Sequence, residues 1–163
     1  MEHAAPAIFV ALEQSGFAAA IRQSTWIYPI ANVGHIVALV CFAGAVVVMD
    51  LRLLGALSAT APLPLIVRAR RFAVAAFCGM AATGFLLFSA EASHVALNPV
   101  FQIKMALVAL GLLNAGVFEL AARRWVATLP PGAATPLPAR AVVLFSLGVW
   151  LAVAASGRAI AYF

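Results

Sequence analysis

Four stretches of roughly 20 mostly apolar residues dominate this chain, and each is long enough to cross the hydrocarbon core of a bilayer as a helix. They cover about 27–48, 72–90, 100–120 and 141–161. Of the 163 residues, 66% are hydrophobic and 9% are charged, a balance that cannot cover the surface of a soluble domain. The alternation of a membrane β-barrel strand is absent. The sequence therefore predicts an all-α integral membrane protein, an up-down bundle of four transmembrane helices.

The segment before the first span has a mixed character. It places Glu13, Gln14 and Arg22 among apolar side chains, which predicts an amphipathic helix lying in the membrane interface. The expected organisation is an N-terminal interfacial helix over 1–25 and a transmembrane bundle over 26–163. The short link at Asn98 and Pro99 also predicts that the second and third spans are antiparallel neighbours.

Arginines follow the first and third spans and predict the orientation of the chain. By the positive-inside rule these two loops face the cytoplasm, so both termini are expected in the periplasm of a bacterium with the chain in its inner membrane. No basic patch with interleaved aromatic residues is present, which argues against binding of nucleic acid. The arginines concerned are Arg52, Arg68, Arg70, Arg71, Arg123, Arg124 and Arg140.

Ionisable side chains collect near the periplasmic ends of all four predicted spans. Counting 1.5 Å per residue from the charged group at the cytoplasmic end of each span gives depths of roughly 22–30 Å for His35, Glu91, Lys104 and Arg158. The hydrocarbon core is about 30 Å thick, so these groups approach one level. Ionisable groups inside a membrane are expensive and favour a functional interpretation. The simpler alternative is an ion pair of Glu91 with Lys104 or Arg158, with Asn32 and His35 joining helices by hydrogen bonds.

A haem b site is one interpretation of this predicted polar pocket. Histidine in a helix bundle is a usual ligand of b-type haem, and cations at the rim suit the propionates. His35 is the candidate iron ligand. His94 lies about 12 Å higher by the same count, which makes it a doubtful second ligand. Met105 is closer in level, and a ligand from another subunit is a further alternative.

A quinone site is the other interpretation, and it does not require a second histidine ligand. His35 would bind one carbonyl of the quinone, Arg158 or Lys104 would lie near the other, and Tyr28 would flank the ring. The full set of predicted binding residues is Tyr28, Asn32, His35, Glu91, His94, Lys104, Met105 and Arg158. Catalytic triads, phosphate loops and Cys-pair metal motifs are absent, so the sequence leaves enzymatic activity open.

Five segments of the chain, "WIYPIANVGHI", "DLRLLG", "NPVFQIKM", "SLGVW" and "GRAIAYF", together resemble an uncharacterised family of small bacterial inner-membrane proteins, a domain of unknown function. The resemblance covers most of the chain from Trp26 onward and implies no activity. A four-helix bundle with an intramembrane histidine is also loosely similar to membrane cytochrome b subunits, and this similarity implies electron transfer between periplasmic enzymes and quinone. Those subunits usually offer two or more histidine pairs, whereas this chain offers at most one.

Three functions are open at the level of sequence. The first is a redox-associated membrane subunit that binds haem b or a quinone through His35, Lys104 and Arg158. The second is a non-catalytic accessory subunit of a larger membrane complex. A small-solute or metal carrier ranks last, because four spans are few and no Met or Cys cluster suits copper. The expected partners are the lipid bilayer and other membrane subunits or a second copy of the chain.

Overall fold

The computed structural model describes residues 5–56, 62–122, 124, 128, 132 and 135–162. Arg123 and the first four residues of the predicted N-terminal domain lie outside these ranges. The described residues contain no β-strand. Their helices are α1 (Ala7–Glu13), α2 (Gly16–Gln23), α3 (Ile27–Leu54), α4 (Pro62–Ala90), α5 (Ala92–Leu97), α6 (Pro99–Val117) and α7 (Leu137–Ala159). A π-helical segment, Phe118–Ala122, continues α6, and a 3₁₀ turn, Ile160–Tyr162, follows α7.

Four of these helices are long and apolar enough to cross a membrane, which confirms the prediction of an all-α membrane bundle. The qualifying segments are Ile27–Leu54, Leu63–Ala90, Pro99–Ala121 and Leu137–Ala159. Both α3 and α4 extend further than predicted on the side where the arginines lie. Arginine and leucine are good helix formers, so a helix can continue past the edge of its apolar stretch.

Local sequence explains where several helices begin and end. Gly55 ends α3 with a φ of 103°, and its amide donates to the carbonyl of Arg52 at 3.3 Å. The amide of Ala56 donates to the carbonyl of Leu51 at 3.0 Å, which completes a Schellman motif. At the start of α6, Oδ1 of Asn98 accepts from the amides of the second and third residues that follow it. Such a cap satisfies amides that have no partner within the helix.

The core of the bundle forms where the four spans meet around Trp150 of α7. The Trp150 ring lies 4.6 Å from the Phe42 ring of α3 and 6.4 Å from the Phe77 ring of α4, measured between centroids. On α6, Gly111 is buried against the same indole. The absence of a side chain at Gly111 lets α6 approach α7 closely, as small residues do at helix interfaces in membranes.

The spans differ in which neighbours they pack against most extensively. The third span, α6, packs mainly on α7, while α3 packs on both α4 and α7. In the described part of the chain, α4 and α6 meet at the stacked rings of Phe88 and Phe101, 5.4 Å apart. The second and third spans, which the sequence predicts to be neighbours, thus meet at the ends that adjoin their link. The link contains the extra helix α5 and is not a tight turn.

The N-terminal segment forms two short helices and packs against the protein itself. Ala18 and Ile21 of α2 are almost fully buried. The ring of Phe17 stacks on Phe85 of α4 at 6.2 Å, and the ring of Phe9 in α1 meets Phe88 edge-on at 5.6 Å. Burial of these apolar side chains therefore holds α1 and α2 against the end of α4.

Candidate functional site at the histidine end

The two ends of the bundle differ in chemistry. We call the end that carries His35, His94 and Lys104 the histidine end. The opposite end, which carries Arg52, Arg68 and Arg140, is the arginine end. The predicted site residues lie at the histidine end.

His35 is held by a hydroxyl from the neighbouring span. Its Nδ1 lies 3.0 Å from Oγ1 of Thr83 in α4. That hydroxyl donates its proton to the backbone carbonyl of Gly79 at 2.7 Å. Its oxygen therefore accepts from His35, and we assign the proton of the neutral ring to Nδ1. The lone pair of Nε2 then remains available for a ligand, an orientation that resembles the support of metal-binding histidines.

The carbonyl of Met80 lies 3.2 Å from Oγ1 of Thr83, so this hydroxyl has two backbone acceptors within hydrogen-bond distance. Because Gly84 has no side chain, it leaves room for the His35 ring against α4. A Cβ at Gly84 would lie 3.1 Å from Cε1 of His35, so a larger residue would press on the imidazole. The ring is partly buried between α3 and α4.

Lys104 of α6 reaches across toward α7 and α3. Its ammonium lies against Gly157, where a Cβ would be 3.6 Å from Nζ. Its charge also lies within electrostatic range of His35. The lysine is partly buried. The two residues on which the predicted cofactor site most depends are thus within electrostatic range of each other, although they come from α3 and α6, which share no extensive interface.

Arg158 turns along its own helix and away from this pair. Its Nη2 bonds the hydroxyl of Tyr162 at 2.5 Å, and its guanidinium carbon lies 4.7 Å from the centroid of that ring. The side chain is exposed. An aromatic partner one turn later, together with solvent, satisfies the guanidinium, so its position does not require a carboxylate from another span.

Glu91 and His94 do not continue the helix of the second span, although the depth count treated both as lying along it. The helix α4 ends at Ala90, and Glu91 precedes α5 with a φ of −141°. Both side chains are exposed. In the described ranges Glu91 forms no salt bridge, so the pairing with Lys104 or Arg158 that the sequence allowed is not found.

His94 lies instead beside the N-terminal helices, at a junction formed by Glu13 and Ser93. The carboxylate of Glu13 accepts hydrogen bonds from the hydroxyl of Ser93 and, at 2.7 Å, from its amide. These two bonds, aided by the charges of Arg22 and His94, lower the pKa of Glu13 below its ordinary value. Glu13 thereby caps α5 from another helix, and Arg22 donates to the carbonyls of Glu13 and Ala90, each at 2.9 Å.

The other predicted binding residues face outward in the single chain. Tyr28 is 37% exposed and Met105 is 48% exposed. Asn32 is also exposed on α3. These three side chains therefore do not line an enclosed pocket of one chain. Among the described residues, no group of three or more His, Cys, Asp or Glu side chains could hold a metal ion.

Sequence interpretation missed Thr83 and Gly84, the residues that position His35. A usable signal was present: Thr83 lies twelve residues beyond Arg71, or about 18 Å along its helix, close to the roughly 22 Å counted for His35. A hydroxyl beside a glycine at the level of a buried histidine is suited to hold an imidazole. Thr83 and Gly84 are not ionisable, so a depth count of ionisable groups alone does not include them.

The fold and this site define a small multi-pass membrane protein in which one span presents a histidine supported by its neighbour. The chain belongs to a family of unknown function, DUF6644, whose model matches residues 13–163. This confirms the resemblance noted in the sequence. No curated protein and no solved structure matches the chain.

Proposed function

We propose that the protein is a redox-associated membrane subunit that binds a quinone at the histidine end, in its reduced hydroquinone form, because Nε2 of His35 in the assigned tautomer can accept from a hydroxyl but cannot donate to a carbonyl. The observation that carries the proposal is the orientation of His35, whose Nδ1 is engaged by Thr83 while Nε2 is left to a ligand. We also propose that this end faces the periplasm of a bacterial inner membrane, because the arginines at the other end follow the positive-inside rule.

His35 and Lys104 offer complementary chemistry to such a ligand. In the assigned tautomer Nε2 accepts a hydrogen bond, which suits the hydroxyl of a hydroquinone. The ammonium of Lys104 donates, which suits the opposite oxygen in either redox state. The apolar surfaces of the spans would accommodate the ring and its hydrocarbon tail. Electron transfer would require a partner that accepts or supplies electrons, such as another membrane subunit.

Haem b is the alternative ligand of the same residue. The free lone pair of Nε2, with a hydrogen bond fixing the other nitrogen, fits an axial iron ligand. Lys104 would then lie near a propionate. His94 and Met105 would not help to hold the haem within one chain, because His94 is exposed beside Glu13 and Met105 faces outward, so any further protein ligand would come from another chain.

The test is purification from native membranes in mild detergent, with a visible spectrum and mass spectrometry of extracted small molecules. We expect the wild type to retain hydroquinone, recovered as such or as the quinone formed by its oxidation, and we expect its loss in His35→Ala and Lys104→Met. His94→Ala is the matched control and should retain the ligand, because its exposed side chain lies on α5. A Soret band lost with His35 would identify haem b instead. Absence of both ligands from the wild type, or equal retention in every variant, would refute the proposal.

A non-catalytic accessory role is supported by a different observation. Asn32 is exposed on the surface of a spanning helix, where an amide has few partners in lipid. Packing against another subunit, or a second copy of the chain, would satisfy it. Cysteine crosslinking from position 32 in native membranes tests this role, and a crosslinked partner lost when the cysteine is moved to exposed Leu113 would support it. Monomeric behaviour at both positions would count against it.

A further inference from the structure

Two adjoining grooves lie between α3 and α4 at the arginine end. Their volumes are about 380 and 370 Å³, and both are bordered by Val48, Arg68 and Ala69. The first continues along α3 to Val40. Eight residues separate Val40 from Val48, so this groove runs for about 12 Å along the helix. The second extends toward Pro64, at the beginning of α4.

The first groove exists because small residues face each other there. The core beside the groove packs α3 on α4 through Phe42, Ala45, Ala73 and Met80. The groove itself is lined in part by Ala45 and Gly44, and a Cβ added at Gly44 would have no heavy atom within 4 Å. The walls are therefore apolar and open on the surface of two membrane-spanning helices.

Arg68 supplies a cation at the point shared by both grooves. Its side chain is exposed. In the described part of the chain the salt bridge of this end joins Arg70 to Glu119, and Arg68 takes no part in it. A guanidinium beside an apolar groove suits a molecule with a phosphate at one end and a hydrocarbon chain behind it.

We propose that these grooves bind an anionic phospholipid, with its phosphate on Arg68 and an acyl chain along the first groove. The occupant is a lipid and not a soluble phosphate because the walls are apolar and reach the lipid-facing surface. The lipid is anionic because a zwitterionic lipid would bring the positive group of its own headgroup close to the guanidinium of Arg68, and these two like charges would repel each other. This site is separate from the proposed quinone site, which lies at the other end of the bundle.

Binding is measured on the full chain in nonionic detergent by native mass spectrometry and by thermal unfolding. The probes are phosphatidylglycerol, phosphatidylcholine and inorganic phosphate. We expect phosphatidylglycerol to stay bound and to raise the unfolding temperature, since a ligand that binds the folded state stabilises it. The other two probes should leave it unchanged. An equal response to phosphatidylcholine, or an equal response to inorganic phosphate, would overturn the proposal.

Arg68→Gln tests the cation, with Arg71→Gln as the matched control on the same helix. Both side chains are exposed, and Arg71 borders neither groove. Loss of a charge-assisted hydrogen bond predicts about a ten-fold or greater loss of phosphatidylglycerol affinity for Arg68→Gln and no change for the control. Equal losses in both variants would mean a diffuse basic surface and would overturn the site.

Gly44→Leu tests the acyl groove, with Gly116→Leu as its control. A Cβ meets no atom within 4 Å at either glycine, so both variants should fold. The leucine at position 44 would occupy the first groove and displace phosphatidylglycerol, whereas the one at position 116 on α6 would not. Retention of phosphatidylglycerol by Gly44→Leu at wild-type affinity would contradict the proposed placement of the chain.

Discussion

Substitution of Gly111 by alanine gives the sharpest test of how the four spans are joined. A Cβ at this position would lie 2.8 Å from Cζ2 of Trp150 and 3.0 Å from Cε2. Carbon atoms prefer separations of about 3.5–4.0 Å, so the indole would have to retreat by about 0.7 Å. Phe42 and Phe77 lie against the same indole, and the displacement would be passed on to α3 and α4.

The cost follows from this geometry. Overpacking of a well-filled core costs about 1–3 kcal/mol. Alanine is a better helix former than glycine by up to about 1 kcal/mol, which offsets part of that cost. Gly116→Ala receives the same helical gain on the same helix, but its Cβ meets no atom within 4 Å. We therefore expect Gly111→Ala to be less stable than Gly116→Ala by about 1–3 kcal/mol.

The assay is equilibrium unfolding in mixed micelles, followed by far-ultraviolet circular dichroism. A second substitution, Trp150→Phe, removes the atoms that the new methyl group would meet. Trp150→Phe should therefore lower the free energy of unfolding by a smaller amount in the Gly111→Ala background than in the wild type. Equal stability of the two alanine variants would refute the close approach of α6 to α7. Simple additivity of the two substitutions would show that the loss does not come from the indole.

Two further predictions concern the histidine end. Because the pKa of Glu13 is lowered in the folded state, its bonds to Ser93 stabilise the protein at pH values above the ordinary 4.5, and this contribution is lost as the pH falls through the lowered value. Glu13→Gln should flatten the dependence of unfolding temperature on pH in that range, and an unchanged slope would contradict the assignment. Gly84→Ala should weaken retention of the proposed hydroquinone through displacement of the His35 ring, whereas Gly79→Ala, whose Cβ would sit at an ordinary 3.8 Å from its neighbour, should retain it. Mass spectrometry of extracted ligand compares the two, and equal retention would show that Gly84 does not position the imidazole.

Several features of the protein could be predicted from the sequence because they depend on local composition. Burial in hydrocarbon requires about 20 consecutive apolar residues in a helix, and such stretches are visible in the chain itself. The level of His35 and Lys104 follows from a constant rise per residue. The start of α6 at Asn98 and Pro99 follows from capping, which involves neighbours in sequence. These properties need no knowledge of how one helix faces another.

The remaining features depend on side-chain direction and on how the helices pack against each other. Arg158 could be placed near the level of Lys104, but its turn toward Tyr162 depends on side-chain direction, which depth does not specify. The hydroxyl of Thr83 meets His35 because α3 and α4 face each other with that rotation. The depth of a residue along its helix is the same whatever the order of the four helices and whatever their rotation about their axes. Only the interlocking of side chains such as Trp150 with Gly111 selects one arrangement, because close packing penalises both overlap and voids.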